Sequence, residues 1–257
     1  MPRFCLPRIP SFVRGVFLSI GLVSIPFFAQ AGDIPAVPSN IKEHVILLHG
    51  MARSKSSMGK LEKYLTMEGY TVLNDGYPST QKTVEAIADD HLAPMVERCK
   101  KNGAQKIHLV THSLGGIVIR QYLQTRSLPE GSRIVMISPP NQGSELADAL
   151  KDLWLYKWRN GPPGQVLGTD SASLPRALKP VDEKIGVITG NRSLNPLFSW
   201  IIPGPDDGKV GVERAKLPEM ADFLVVPSSH SFIMNHPLVI EQTIFFLQNG
   251  IFHHEAP

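Results

Sequence analysis

With 257 residues, the chain is long enough for one large α/β domain or two small ones, and for a single packed core. Hydrophobic residues make up 42% and charged residues 19%, which excludes a disordered tail and a multi-span membrane protein. The formal charge of +3 comes entirely from Arg3, Arg8 and Arg14, so the rest of the chain is neutral; neither its charge nor any motif points to a nucleic-acid partner.

Residues 1–31 open with those three arginines, continue with an apolar run over 16–29, and end on Ala29-Gln30-Ala31. Basic start, apolar middle and small-residue end read as a signal peptide cut after Ala31, which predicts a periplasmic or secreted protein. An uncleaved membrane anchor is the alternative, because no charge interrupts residues 15–32. Pro26 favours a helix break ahead of a cleavage site. With cleavage, Cys99 is the sole thiol left and Cys5 departs with the leader, so an intramolecular disulfide is excluded.

A Pro-rich connecting arm spans 32–43. Next, His44-Val-Ile-Leu-Leu48 is a continuous apolar run closed by His49-Gly50, as expected of a strand buried on both faces of a parallel sheet. Leu61, Tyr64 and Leu65 predict a helix over 58–68 that Gly69 stops. A short strand over 70–73 precedes a helix over 84–101, in which Pro94 predicts a kink. A strand over 106–110 then runs into a helix over 114–123. Further strands are predicted over 134–137, 184–188 and 223–226, with a closing helix over 238–247. This alternation predicts a three-layer α/β sandwich around a mostly parallel six-stranded sheet. Glycine and proline concentrate between residues 139 and 218, where the long loops are expected.

The chemistry concentrates at Thr111-His112-Ser113-Leu114-Gly115-Gly116, where an apolar strand turns at once into an apolar helix. A serine on so tight a turn is held in a strained backbone with its hydroxyl above the sheet edge, and its neighbours two positions away must be small. Gly115 meets that demand, whereas Thr111 stands where glycine is usual. A helix beginning at Leu114 also aims backbone N–H groups at an anion forming beside Ser113. A second donor is legible at Leu48-His49-Gly50-Met51, where the sharp turn at Gly50 directs the Met51 N–H toward the same place. A nucleophilic serine needs a base and an orienting carboxylate. His230 follows the sixth strand in Val226-Pro-Ser-Ser-His230, and Asp206-Asp207-Gly208 forms a polar turn after the fifth. Serine, aspartate, histidine is the chain order this architecture requires.

These stretches resemble the α/β-hydrolase superfamily: Thr111–Gly116 after a strand, Leu47-Leu-His-Gly50 upstream, Asp206-Asp-Gly-Lys-Val210 and Pro227-Ser-Ser-His230. Within it, the chain is similar to small bacterial serine esterases and lipases and to the branch that includes GPI inositol-deacylases. The resemblance covers residues 44–250. It implies a minimal six-stranded hydrolase fold, with Ser113 as nucleophile, Asp207 as orienting acid, His230 as base, and the N–H groups of Met51 and Leu114 as oxyanion donors. No cofactor or metal is implied: some relatives bind calcium through an aspartate two residues after the histidine, and Phe232 occupies that position here.

Asp206 is the rival carboxylate, with Asp182 and Asp222 flanking strands, and His236 is the rival base. Between strands four and five, an insertion over about 141–182 carries Leu146, Leu150, Leu153, Trp154 and Trp158 at helical spacing. One expectation makes this stripe a lid or acyl-binding wall, with Trp154 and Trp158 touching substrate. The other packs it on the core as an ordinary amphipathic helix. The expected activity is hydrolysis of carboxylic esters with an apolar acyl group, from small molecules or lipids. The alternatives are an acyltransferase with the same residues and an inactive hydrolase-fold binding protein of the cell envelope.

Overall fold

The computed structural model describes residues 42–254; the leader and nearly all of the arm over 32–43 lie outside the described residues. Six strands form one sheet: β1 (Glu43–Leu48), β2 (Thr71–Leu73), β3 (Lys106–His112), β4 (Arg133–Ile137), β5 (Lys184–Gly190) and β6 (Asp222–Val226). Every pairing is parallel, in the order β2-β1-β3-β4-β5-β6. The chain therefore steps one way from β1 to β2, then returns past β1 to β3 and continues the other way. Loops leaving the carboxyl ends of β1 and β3 face each other at this reversal, where open α/β sheets form their crevice.

Alternation along each strand supplies the two faces. Ile46, Leu48, Ile107, Leu109, Ile134 and Met136 enter one apolar cluster. Val45, Leu47, Val110, Val135 and Ile137 enter the other. Helix α1 (Gly59–Met67) and the last helix, α10 (Pro237–Asn249), cover the second face through Leu61, Leu65, Val239 and Phe246. On the first face lie α2 (Val84–Ile87), α3 (Ala93–Lys101) and α4 (Leu114–Tyr122). The helix predicted over 84–101 is continuous, and Pro94 enters it after a π-helical turn over Ala88–Leu92. There the Ala93 N–H donates five residues back, to the Ala88 carbonyl. A register change of this kind absorbs the N–H that proline lacks.

Between β4 and β5 lie α5 (Glu145–Leu150), α6 (Trp154–Gln165) and α7 (Leu174–Ala177). The stripe predicted as one helix is thus two, separated by a turn. Helix α6 breaks again at Gly161 (φ 57°, ψ −156°), just ahead of Pro162-Pro163. Between β5 and β6 are α8 (Pro196–Ile201) and α9 (Val212–Ala215).

Arg120 of α4 joins this region to the sheet. Its side chain is buried, and its Nη1 donates to the carbonyls of Asn141 and Pro175, each at 2.9 Å, while Nη2 donates to that of Leu178 at 3.1 Å. A guanidinium can serve three carbonyls at once because its donors form a rigid fork. Arg120→Met would leave all three carbonyls without this donor. The expected loss, read from urea unfolding, is about 3 kcal/mol or more; a change below about 1 kcal/mol would show that the three bonds contribute little.

Candidate active site

Ser113 joins β3 to α4 with φ 53° and ψ −118°, a conformation that non-glycine residues avoid. Two hydrogen bonds hold it there. Its N–H donates to the Ile137 carbonyl at the end of β4 (2.9 Å), and its own carbonyl accepts from the Gly116 N–H (3.0 Å). The turn also requires backbones to pass unusually close. A Cβ on Gly115 would stand 2.9 Å from the Leu48 carbonyl oxygen, and one on Gly50 would stand 2.6 Å from His112 Nδ1. Thr111, where glycine is usual, is fully buried and lies 3.1 Å from the position a Gly115 Cβ would take. The bare helix face at Gly115 and Gly116 makes the room that the threonine uses.

His230, in the loop after β6, directs Nε2 at Ser113 Oγ (3.0 Å) and Nδ1 at Asp207 Oδ2 (2.8 Å). The other oxygen of Asp207 accepts from the N–H groups of Lys209 (3.0 Å) and Val210 (2.9 Å), and the His230 N–H donates to the Asp207 carbonyl (2.8 Å). Burial pushes the Asp207 carboxyl up, but the His230 imidazole and these donors outweigh it and hold the pKa below its ordinary value. Asp206 is otherwise engaged: its carboxylate accepts from the Gly208 N–H (2.6 Å) and the Ser199 hydroxyl (3.1 Å). The rival histidine, His236, caps the start of α10, and Asp222 accepts from the Phe252 N–H and His254. Three distant stretches therefore meet at Ser113, Asp207 and His230, with the rivals elsewhere.

Two more histidines build the site. His112 is buried, its ring centroid 4.8 Å from that of His230, and its Nε2–H donates to the His230 carbonyl (3.0 Å). Burial, then the nearness of His230 and Arg53, holds His112 well below an ordinary histidine pKa, so it is neutral at physiological pH. His49 stacks on Tyr77 with centroids 4.2 Å apart, and the Tyr77 hydroxyl donates to the His49 carbonyl. This fixes the loop that carries Gly50 and Met51.

Ser113 stands where two cavities meet. One, of about 360 Å³, is walled by Leu146, Leu150, Leu153, Leu155, Leu167 and Phe198. The other, of about 380 Å³, is polar and contains Arg53, Arg159 and Lys209. Met51 lines both. Among the described residues, the backbone N–H groups of Met51 and Leu114 have no protein acceptor.

Trp154 and Trp158, expected in the substrate wall, line neither cavity and are 76% and 77% exposed. The turn between α5 and α6 rotates them away. Four residues apart, they share an outward face of α6, while Leu155 and Arg159 share the face toward the cleft. The cations of the polar cavity were not anticipated, although each adjoins an anticipated feature: Arg53 follows Met51 by two, Lys209 follows Asp207 by two, and Arg159 follows Trp158.

No protein-family model matches the chain, and neither does any curated protein. Solved structures do match. The mature form of the lipase BlEst2 from Bacillus licheniformis superposes with a TM-score of 0.64 at 20% identity, over 84% of this chain and 96% of that one. Phospholipase PlaB from Legionella pneumophila gives 0.65 at 19% identity, over 82% of this chain and 60% of PlaB. A metagenomic carboxyl esterase gives 0.60 at 16%, over 76% and 66%. The chain thus has the α/β-hydrolase fold of these enzymes. At such identities the likeness is one of fold and does not single out a branch.

The buried histidines give the folded chain a defined response to acid. Burial lowers the pKa of His49, His108 and His112, so these rings stay neutral in the folded chain below pH 6.5, where the unfolded chain takes up protons. Stability is therefore full above that value and falls as the pH drops beneath it. Asp207, lowered from 3.8, adds its own loss only at still lower pH. The urea midpoint is expected to fall between about pH 7.5 and about pH 5; a midpoint that stayed level would contradict the neutral, buried state of these rings.

Proposed function

We propose that the protein is a serine hydrolase of carboxylic esters working through an acyl-enzyme. The observation that carries this reading is the relay from Asp207 through His230 to Ser113, with bonds of 2.8 and 3.0 Å ending on a serine of strained backbone. Ser113 Oγ attacks the ester carbonyl while His230 Nε2 takes its proton. Asp207 holds the ring in the tautomer with Nδ1 protonated and stabilises the imidazolium. The free N–H groups of Met51 and Leu114 receive the oxyanion, a contribution of about 3 kcal/mol for each well-placed donor. His230 then protonates the leaving alkoxide, and water releases the acyl group by the same steps in reverse.

The leucine-lined cavity suits an apolar acyl chain, since burying each methylene there contributes about 0.8 kcal/mol. Small-molecule and lipid esters both satisfy that description. With a leader of the export type, the reaction belongs to the periplasm or the cell exterior.

Kinetics on p-nitrophenyl esters of graded length test this reading. Ser113→Ala and His230→Ala are each expected to lower kcat by at least about a thousandfold. For the unaltered chain, kcat/KM should rise from acetate to octanoate as the apolar cavity fills. Ser113→Ala activity within about tenfold of the unaltered chain would exclude Ser113 as the nucleophile, and a preference for acetate would exclude the acyl assignment.

A further inference from the structure

The polar cavity beside Ser113 has a composition that ester hydrolysis does not require. Its ten lining residues include Arg53, Arg159 and Lys209 and no acid. Among the described residues, none of the three belongs to an ion pair. Residues 32–257 are neutral as a whole, these three cations included, so the excess is local. Arg53 is held over the His230 loop by a hydrogen bond from Nη2 to the Ser231 carbonyl (3.1 Å). Desolvation by the cavity wall, and then Arg53 and Arg159, lower the pKa of Lys209, which still reaches solvent, while Asp207 opposes them. Like charges gathered in one cavity repel one another, and an anion that enters relieves the repulsion.

We infer that the substrate is an ester of split character, with an apolar acyl chain in the leucine-lined cavity and an anionic group on its alcohol half held by Arg53, Arg159 and Lys209. The inference rests on the ester-hydrolase reading and specifies its substrate class. The walls favour the division: the leucines and Phe198 line the first cavity alone, Arg53 lines the second alone, and Arg159 and Lys209 stand at the boundary, where they can reach an anion in the second while an alkyl chain fills the first. The assignment to the alcohol half follows from His230. His230 lines both cavities, but the residues around it, His112 against its ring and Ser231 with its bonded Arg53, line the cationic one alone, so that cavity faces the oxygen that His230 must protonate. Phosphate and carboxylate both satisfy the site, phosphate with more acceptor oxygens for two guanidinium groups. In the reaction the acyl–oxygen bond breaks, the acyl group passes to Ser113 Oγ, and the serine proton leaves on the alcohol. Water then yields the fatty acid and restores the serine.

Three octanoyl esters test the inference, used below their aggregation concentrations: 1-octanoylglycerol, its 3-phosphate, and the octanoyl ester of glyceric acid. The expected result is a kcat/KM at least about tenfold higher for one or both anionic esters than for the neutral one. That ratio should contract to within about threefold in Arg159→Gln and shrink in high salt. Which anionic ester leads distinguishes phosphate from carboxylate. Arg159 is exposed at the surface, so its substitution leaves the core intact. Competitive inhibition by the matching 1-O-octyl glycerol ether and its 3-phosphate supplies a readout independent of turnover, and the same preference and the same contraction are expected. Neutral ester cleaved as fast as both anionic ones overturns the inference and leaves the ester-hydrolase reading standing, and so does a preference that survives Arg159→Gln. Failure to cleave any of the three overturns both.

Discussion

How closely backbones approach where β1 and β3 end governs the rest of the site. Helix α4 must cross the last carbonyl of β1 with no side chain between, and the β1 loop must clear the ring of His112. Gly115 and Gly50 are the two positions where a single methyl group would prevent this. Given that approach, Ser113 is driven to positive φ, its hydroxyl leaves the sheet edge, and the amides of Met51 and Leu114 have no acceptor among the described residues. The strain is local, and the hydrogen bond from Ser113 to the end of β4 helps to sustain it.

The electrostatics follow from the same compactness. His112, beneath His230, is kept neutral by burial, so it supports the relay through a backbone hydrogen bond without placing a charge next to it. Asp207 is the only acid of the relay, and two backbone amides fix its second oxygen. Positive charge instead collects around the opening at Ser113, on residues that belong to no strand and form no ion pair with a described acid. An apolar cavity and a cationic one thus meet at one hydroxyl, with Arg159 and Lys209 on their shared boundary.

Much of this was legible in the sequence because the signals were local. Continuous apolar runs located all six strands, and the abrupt change from strand to helix at Ser113 marked the turn. Chain order narrowed the acid and the base, but the choice between Asp206 and Asp207 needs coordinates. Adjacent carboxylates differ only in which neighbour they meet, and here one turns to the Gly208 amide while the other turns to His230. Periodicity misled in the region between β4 and β5. Apolar spacing continues from Leu146 to Trp158, yet the chain turns after Leu150, and the tryptophans rotate to solvent. The cationic cavity was invisible for a related reason: Arg53 and Lys209 lie in two loops and Arg159 on α6, and they form a group only once these segments converge.

The central claim is that Ser113, and no other side chain, is made nucleophilic by the convergence at the sheet reversal. A fluorophosphonate probe followed by peptide mass spectrometry tests it most directly. The account predicts one phosphonyl group per chain, carried on Ser113 and nearly absent when His230 is replaced by alanine. Labelling at another residue, or labelling of Ser113 that is indifferent to His230, would contradict it.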